Sequence, residues 1–333
     1  MKTFYYIFIL AINSSLAFAN DSSATLAAGG LKLIKSADIS MESEVLYISP
    51  KRIKVDYIFK NNSSNDIKTL VAFPLPKLMS DETMQYESAG IPNEKSENFV
   101  NFKVSVNNQP VSVNIEHKAL LSDNKQQNTQ DITLELQRQN IPISPFSANY
   151  REILNNLPAP IKQKLVAKKW ISSEKYDAGE GWVVNNVANW ETQTSLYWEQ
   201  IFPAQTEVTI SHEYEPVVGK WFVMTGDTHY HQQFCVDKST RRGIDKLHKS
   251  VGEDAYGTLL ANQVKYILKT ANNWQGAIKK FKLIIDKEKP SNIISLCLPD
   301  IKKINATQFS LEYENFIPKN DLNILVIENM NVQ

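Results

Sequence analysis

The sequence predicts a mainly β chain of two β-sandwich-like domains, the first carrying a helical insertion. Three observations predict it. Apolar and polar residues alternate with period two, as in Ile53-Lys54-Val55-Asp56-Tyr57-Ile58-Phe59. Polar clusters such as Asn61-Asn62-Ser63-Ser64-Asn65-Asp66 punctuate the runs. In the second half, Pro290, Pro299 and Pro318 lie between the apolar runs and not inside them.

Before the first strand, residues 1–19 have the order of a secretory signal peptide. Lys2 supplies the positive end, Phe4 to Ile12 the short apolar stretch, and Ala17-Phe18-Ala19 the small-residue cleavage site. Cleavage between Ala19 and Asn20 predicts a periplasmic or secreted product. No other stretch approaches the roughly 18 apolar residues of a spanning helix, and no Cys follows the apolar stretch to take a lipid, so no integral membrane anchor is expected.

Residues 20–216 read as the first domain. Ile53–Phe59 and Thr69–Phe73 form strand, turn and strand, read as a hairpin, and Phe99–Val106 with Val111–Ile115 form a second hairpin about Asn107-Asn108-Gln109-Pro110. Ser122–Gln130 reads as a long exposed loop. Between Asn149 and Ile171 the period changes to helical: Ile153, Leu154, Leu157, Ile161, Leu165, Val166 and Trp170 share a face, and Pro158 and Pro160 divide the stretch into two short helices. Strands resume at Trp182–Val184, Leu196–Phe202 and Val208–Tyr214, and Glu215-Pro216 marks the expected boundary.

Residues 217–333 read as a second, β-rich domain. Trp221–Val236 is strand-rich, Ser239–Gly252 is helical, and short strands follow at 263–270, 281–286, 292–298, 308–313 and 322–328. Cys235 and Cys297 are the two cysteines of the chain. In an oxidising compartment with no third thiol to compete they are expected to pair, stabilising the fold by about 4 kcal/mol through loop closure; the alternative is two buried thiols.

Charge excludes some partners. Without Lys2 the chain has 35 basic and 36 acidic residues, a formal charge of −1, and so no global field for nucleic acid or anionic lipid. The basic run Lys162, Lys164, Lys168 and Lys169 reads as a solvated helix face.

Asn20-Asp21-Ser22-Ser23-Ala24 with Gly29-Gly30-Leu31, Glu44-x-Leu46-x-Ile48-Ser49 and Val71-Ala72-Phe73-Pro74-Leu75-Pro76 resemble an exported bacterial family, the domain of unknown function numbered forty-four twenty-four. Tyr197-Trp198-x-Gln200-x-Phe202-Pro203, His212-x-Tyr214-x-Pro216, Tyr266-Ile267-Leu268 with Asn273-Trp274, and Ser295-Leu296-Cys297 extend the resemblance over nearly the whole chain. The resemblance implies no activity, ligand or active residue. A shorter similarity, Tyr57-x-Phe59-x-Asn61 with Phe73-Pro74-Leu75-Pro76, is to the vault and inter-alpha-trypsin-inhibitor β-domain.

Chemistry has weak signals. Asp227-x-His229-x-His231 would place three ligand types on one strand face, yet such a row reaches a shared metal poorly and reads better as solvated surface. His117, His212 and His248 are isolated, and His212 reads as a packed or edge position. Nucleophile-elbow and phosphate-loop motifs are absent, and Gly179-Glu180-Gly181 is a lone turn. Carboxylates are plentiful enough for a glycosidase pair, but their separation is a spatial quantity, so none of them, Glu191, Glu199 and Glu213 included, is nominated from the sequence. Five of the six tryptophans lie between Trp170 and Trp221; Leu196, Trp198 and Phe202 share parity, which indicates core and not a sugar platform.

The expectation is a non-catalytic binding protein of the bacterial envelope, without cofactor or metal, recognising a protein or a surface glycan through loops and the helical insertion. The alternative is an envelope carbohydrate hydrolase whose carboxylates the sequence does not place.

Overall fold

The computed structural model describes residues 20–330 apart from 28–29, 80–89, 123–128, 178, 180, 225 and 252–257. The signal-type segment 1–19 and most of the loop expected at 122–130 lie outside the described residues. The first strands are β1 (Ser22–Ala27), β2 (Gly30–Leu33), β3 (Ile39–Ile48), β4 (Ile53–Asn61) and β5 (Ile67–Pro74). Next come β6 (Leu78–Met79), β7 (Lys103–Val106), β8 (Gln109–Val111), β9 (Asn114–Ser122) and β10 (Thr129–Asp131). Helices α1 (Thr133–Gln137), α2 (Tyr150–Asn155) and α3 (Ala159–Ala167) precede β11 (Ile171–Asp177), β12 (Trp182–Ala188), β13 (Glu191–Phe202), β14 (Glu207–Tyr214) and β15 (Val218–Phe222). The chain continues through α4 (Lys238–Val251), β16 (Leu259–Tyr266), β17 (Ile278–Asp286), β18 (Ile293–Leu296), β19 (Lys302–Lys303), β20 (Gln308–Phe316) and β21 (Leu322–Asn329). The protein is mainly β.

Three sheets face one core. The largest runs β19-β20-β17-β3-β4-β14-β7-β8, the second runs β10-β9-β13-β5-β1-β2 with β6 beside β13, and the third runs β15-β16-β21-β18. Alternation sets which residues point inward: Leu46, Ile48, Val55, Tyr57, Phe59, Val208 and Ile210 from the first sheet meet Val71, Phe73, Leu196 and Trp198 from the second and Val264, Tyr266, Ile324 and Val326 from the third. Tryptophans 190 and 198 are closed to solvent, so parity placed Trp198 correctly.

The topology differs from the sequence reading at two points. β4 and β5 are not a hairpin: β4 pairs with β3 and β14, whereas β5 pairs with β1 and β13 in another sheet. The polar run between them is a corner from one layer to the next. Trp221–Val236 is not strand throughout, since β15 ends at Phe222 and turns occupy 229–235, with Cys235 at φ +52°. Its aromatic content packs beneath the third sheet, where Tyr230, Phe234 and Val236 meet Ile244 of α4. The β7–β8 hairpin forms in the expected place, with Asn107 and Asn108 at φ +48° and +64° in the left-handed conformation that favours asparagine.

The insertion splits where proline requires. α2 stops before Pro158 and α3 begins with Pro160 in its first turn, where a missing N–H costs no helical hydrogen bond. Leu154, Leu165, Trp170 and Trp190 give this region a core of its own. From it projects an antiparallel ribbon of β11 and β12, which among the described residues pair only with each other.

Strands from both sides of Pro216 share the largest sheet. β17 runs parallel to β3, with Lys280 opposite Ser43 and Ile285 opposite Ile48. Cys235 and Cys297 are joined by a disulfide, their Cα atoms 5.0 Å apart. It ties the turn segment after β15 to the end of β18.

Candidate functional site

Two places in the structure carry more polar or apolar character than their surroundings explain. The first is a polar cluster inside the main core. On β3, Glu44 shares inward parity with Leu46 and Ile48, and it stands opposite Tyr57 of β4 and beside Phe281 of β17. Its side chain is closed to solvent. Both carboxylate oxygens accept from Asn20 Nδ2, at 3.2 and 3.1 Å. Asn20 Oδ1 in turn accepts from the Tyr57 hydroxyl, from the Tyr266 hydroxyl at 3.4 Å and from the Asp21 backbone N–H at 2.9 Å.

Asp21 is equally buried and lies 3.2 Å from His212 Nε2 of β14. Neither group makes an aligned hydrogen bond through its side chain, so the link is chiefly electrostatic. Tyr57, Phe73, Phe102 and Trp198 surround the imidazole with ring centroids at 5.1–5.4 Å. The segment is pinned further by Trp274 Nε1, which donates to the Asp21 carbonyl at 2.6 Å, and by Asn273 Nδ2, which donates to Ser22 Oγ at 2.9 Å.

Burial dominates the electrostatics here. Loss of water pushes the Glu44 carboxyl up from 4.5 to about 8; the Asn20 amide opposes the shift and the neighbouring Asp21 adds to it. Burial also raises the Asp21 carboxyl, against the opposing pull of His212. Tyr57 and Tyr266 are held well above their ordinary range and stay protonated hydrogen-bond donors. These side chains are closed to solvent, and their hydrogen bonds hold the first residues of the described chain in the core.

The second place is the surface around the insertion. On the β11–β12 ribbon Trp182 is 67% exposed, followed by Val183 and Val184 at 41% and 44%. Lys175 of β11 lies over the Trp182 ring, 5.4 Å from its centroid. The proximal half of the ribbon is anchored instead, with Asn186 bonded to Asn155 and to the Leu154 carbonyl of α2. A rigid base thus presents an apolar tip.

A groove of about 130 Å³, partly open to solvent, lies elsewhere, where the β5–β6 connection meets the third sheet. Leu75, Met79, Phe99, Tyr214 and Val217 line it with Lys77, Gln263 and Lys265. Its described lining contains no carboxylate.

The other residues singled out in the sequence do not converge. Asp227, His229 and His231 lie outside any strand in a turn region; Asp227 contacts the His229 ring, and the shared strand face is not formed. Among the described residues no group of three His, Cys, Asp or Glu side chains could hold a metal ion. His117 bonds Thr194 at 2.9 Å and also Glu97. Glu191 pairs with Lys77 of the groove at 3.1 Å, Glu199 with Lys68 at 2.8 Å, and Glu213 lies 4.0 Å from Arg52, three separate pairs of which the first is half-buried and the other two are exposed. Lys168 pairs with Glu135 at 2.8 Å and covers Trp170. Sequence reasoning missed Glu44 and Asp21, although the parity of Glu44 with Leu46 and Ile48 was readable.

No curated protein matches the chain. Among solved structures, a protein of Legionella pneumophila described as a candidate nutrient-binding protein is similar, at 16% identity and a TM-score of 0.44, over 88% of this chain and 68% of that one. The profile of one family, described as Domain of unknown function (DUF4424), matches residues 19–325. That match takes in the buried cluster, the insertion and the disulfide, and this chain belongs to the DUF4424 family.

Proposed function

We propose that the chain is an exported, non-catalytic binding protein of the bacterial envelope that engages another protein through its β11–β12 ribbon. One observation carries the reading. Trp182, Val183 and Val184 stand exposed in sequence on a ribbon whose strands have no other partner among the described residues. An exposed strand edge offers unpaired backbone N–H and C=O groups to an incoming strand, and a central Trp is the residue type that most often dominates such a contact. The anchored base keeps the tip presented, which lowers the ordering cost of association.

A carbohydrate hydrolase needs two carboxylates converging on an open pocket. Here the open groove offers lysines, and the buried carboxylates have no opening to solvent. That arrangement favours binding over hydrolysis.

Crosslinking in the native envelope fraction tests the reading, comparing the wild-type chain with Trp182→Ala and with a chain whose ribbon is shortened. The expected result is one defined protein adduct lost in both variants while their melting is unchanged. Equal adduct formation by all three chains, or adducts abolished by soluble envelope polysaccharide, would overturn the protein-partner assignment.

A further inference from the structure

Glu44 has no cationic neighbour among the described residues. Asp21 has His212, whereas Glu44 has only the neutral Asn20 amide, and among the described residues no lysine, arginine or histidine is paired with it. The groups facing Glu44 are Asn20, Asp21, Tyr57 on β4 and Tyr266 on β16, none of them cationic. A carboxylate taken out of water without a counter-ion is strongly disfavoured, so the chain carries either a protonated acid here or a missing positive charge.

The sequence supplies that charge. Asn20 is the first residue after the Ala17-Phe18-Ala19 cleavage motif, and the family match begins at residue 19. Covalent geometry keeps the Asn20 α-nitrogen within about 5 Å of its own Nδ2, which already touches both Glu44 oxygens. We propose that Glu44 is the buried counter-ion of the α-ammonium group that Asn20 gains on cleavage after Ala19, so that removal of the leader completes the core.

An envelope endopeptidase adds water across the Ala19–Asn20 amide. The C–N bond breaks, the water oxygen becomes part of the new Ala19 carboxylate, and both water protons end on the Asn20 nitrogen, which leaves as –NH3⁺. A free α-amine titrates near 7.7–8.0; burial lowers that value and the facing Glu44 carboxylate raises it, so that each charge is held by the other. With the amide intact the nitrogen stays neutral and Glu44 is held as the acid.

The inference rests on the export half of the reading above and is independent of the ribbon. Its test compares the exported chain, whose first residue is fixed by intact mass, with a chain made without a leader that retains one Met before Asn20. Each is made with Glu44 and with Glu44→Gln. The extra residue is expected to lower the melting temperature by about 5–10 °C with Glu44 in place, and by much less with E44Q. In the exported chain the α-amine should resist an acylating reagent until the protein is unfolded in urea.

Equal melting of the two chains, or an equal loss in both backgrounds, would overturn the proposal. If E44Q does not fold, acylation decides: an α-amine modified at the rate of an exposed amine refutes the pair. A first residue other than Asn20 would refute the export reading as well, whereas a correct mass with a reactive amine refutes the pairing alone.

Discussion

Glu44 on β3 stands directly opposite Tyr57 on β4, and Asn20 bonds to both side chains, so the first described residue is held by the central strands of the largest sheet. A polar anchor of this kind constrains residues 20–22 more tightly than strand pairing alone does.

The anchor makes stability depend on pH in a defined direction. With an amide before Asn20, the folded state keeps a proton on Glu44 up to about 8, whereas the unfolded chain releases it near 4.5. Stability of the Met-extended chain should therefore be fullest below about 4.5 and fall as pH rises toward 8, at up to about 1.4 kcal/mol per pH unit. Urea titrations across that range should show the slope flattened by Glu44→Gln and weakened in the exported chain.

Asp21→Asn should cost about 1–3 kcal/mol, read as a lower urea midpoint, because it replaces the buried carboxyl that stands 3.2 Å from His212 inside the aromatic surround. An unchanged midpoint would mean that the pair contributes nothing.

Thiol titration of the unfolded, unreduced protein should find no free thiol. Cys297→Ser should lower stability by about 4 kcal/mol in the chain-entropy account, since the bridge closes a loop of 62 residues. Two titratable thiols per chain would contradict the bridge.

Trp182→Ala should leave the melting temperature within about 1–2 °C of wild type, as removal of an exposed side chain usually does. It should also remove much of the iodide-quenchable fluorescence, because Trp170, Trp190, Trp198 and Trp274 are buried. Fluorescence quenching as strong as in the wild type would place another tryptophan at the surface.

Residues 217–333 alone should not show a cooperative transition. β17 would lose β3, its parallel neighbour, and the inward residues Phe281, Leu283 and Ile285 would lose the facing core. A sharp melt of the isolated segment would establish the division expected after Pro216.

The inward faces were legible because strand parity is a local property: Val55, Tyr57 and Phe59 alternate in sequence and alternate in space. The split of the insertion was legible for the same reason, since proline acts within one turn. Pairing partners were not. Nothing near Ser43 announces Lys280, and the layer change between β4 and β5 has the same polar composition as a hairpin turn. Glu44 was passed over because a charge on an alternating strand normally marks the outer face, and the bulge between Met41 and Ser43 obscures the parity upstream. Trp221–Val236 was misread because its aromatic residues fit either a strand or turns packed under a sheet.

The parallel pairing of Ser43 with Lys280 also fixes an order of events in time. β3 emerges from the ribosome early, yet its partner is made only after most of the chain, a delay of roughly 10–50 s at ordinary elongation rates. Closing so long a loop is slow, and until then one edge of the central strand stays open. The topology therefore makes the finished sheet a late product of synthesis, and until Lys280 is made the open side of β3 is a place where a wrong strand can add.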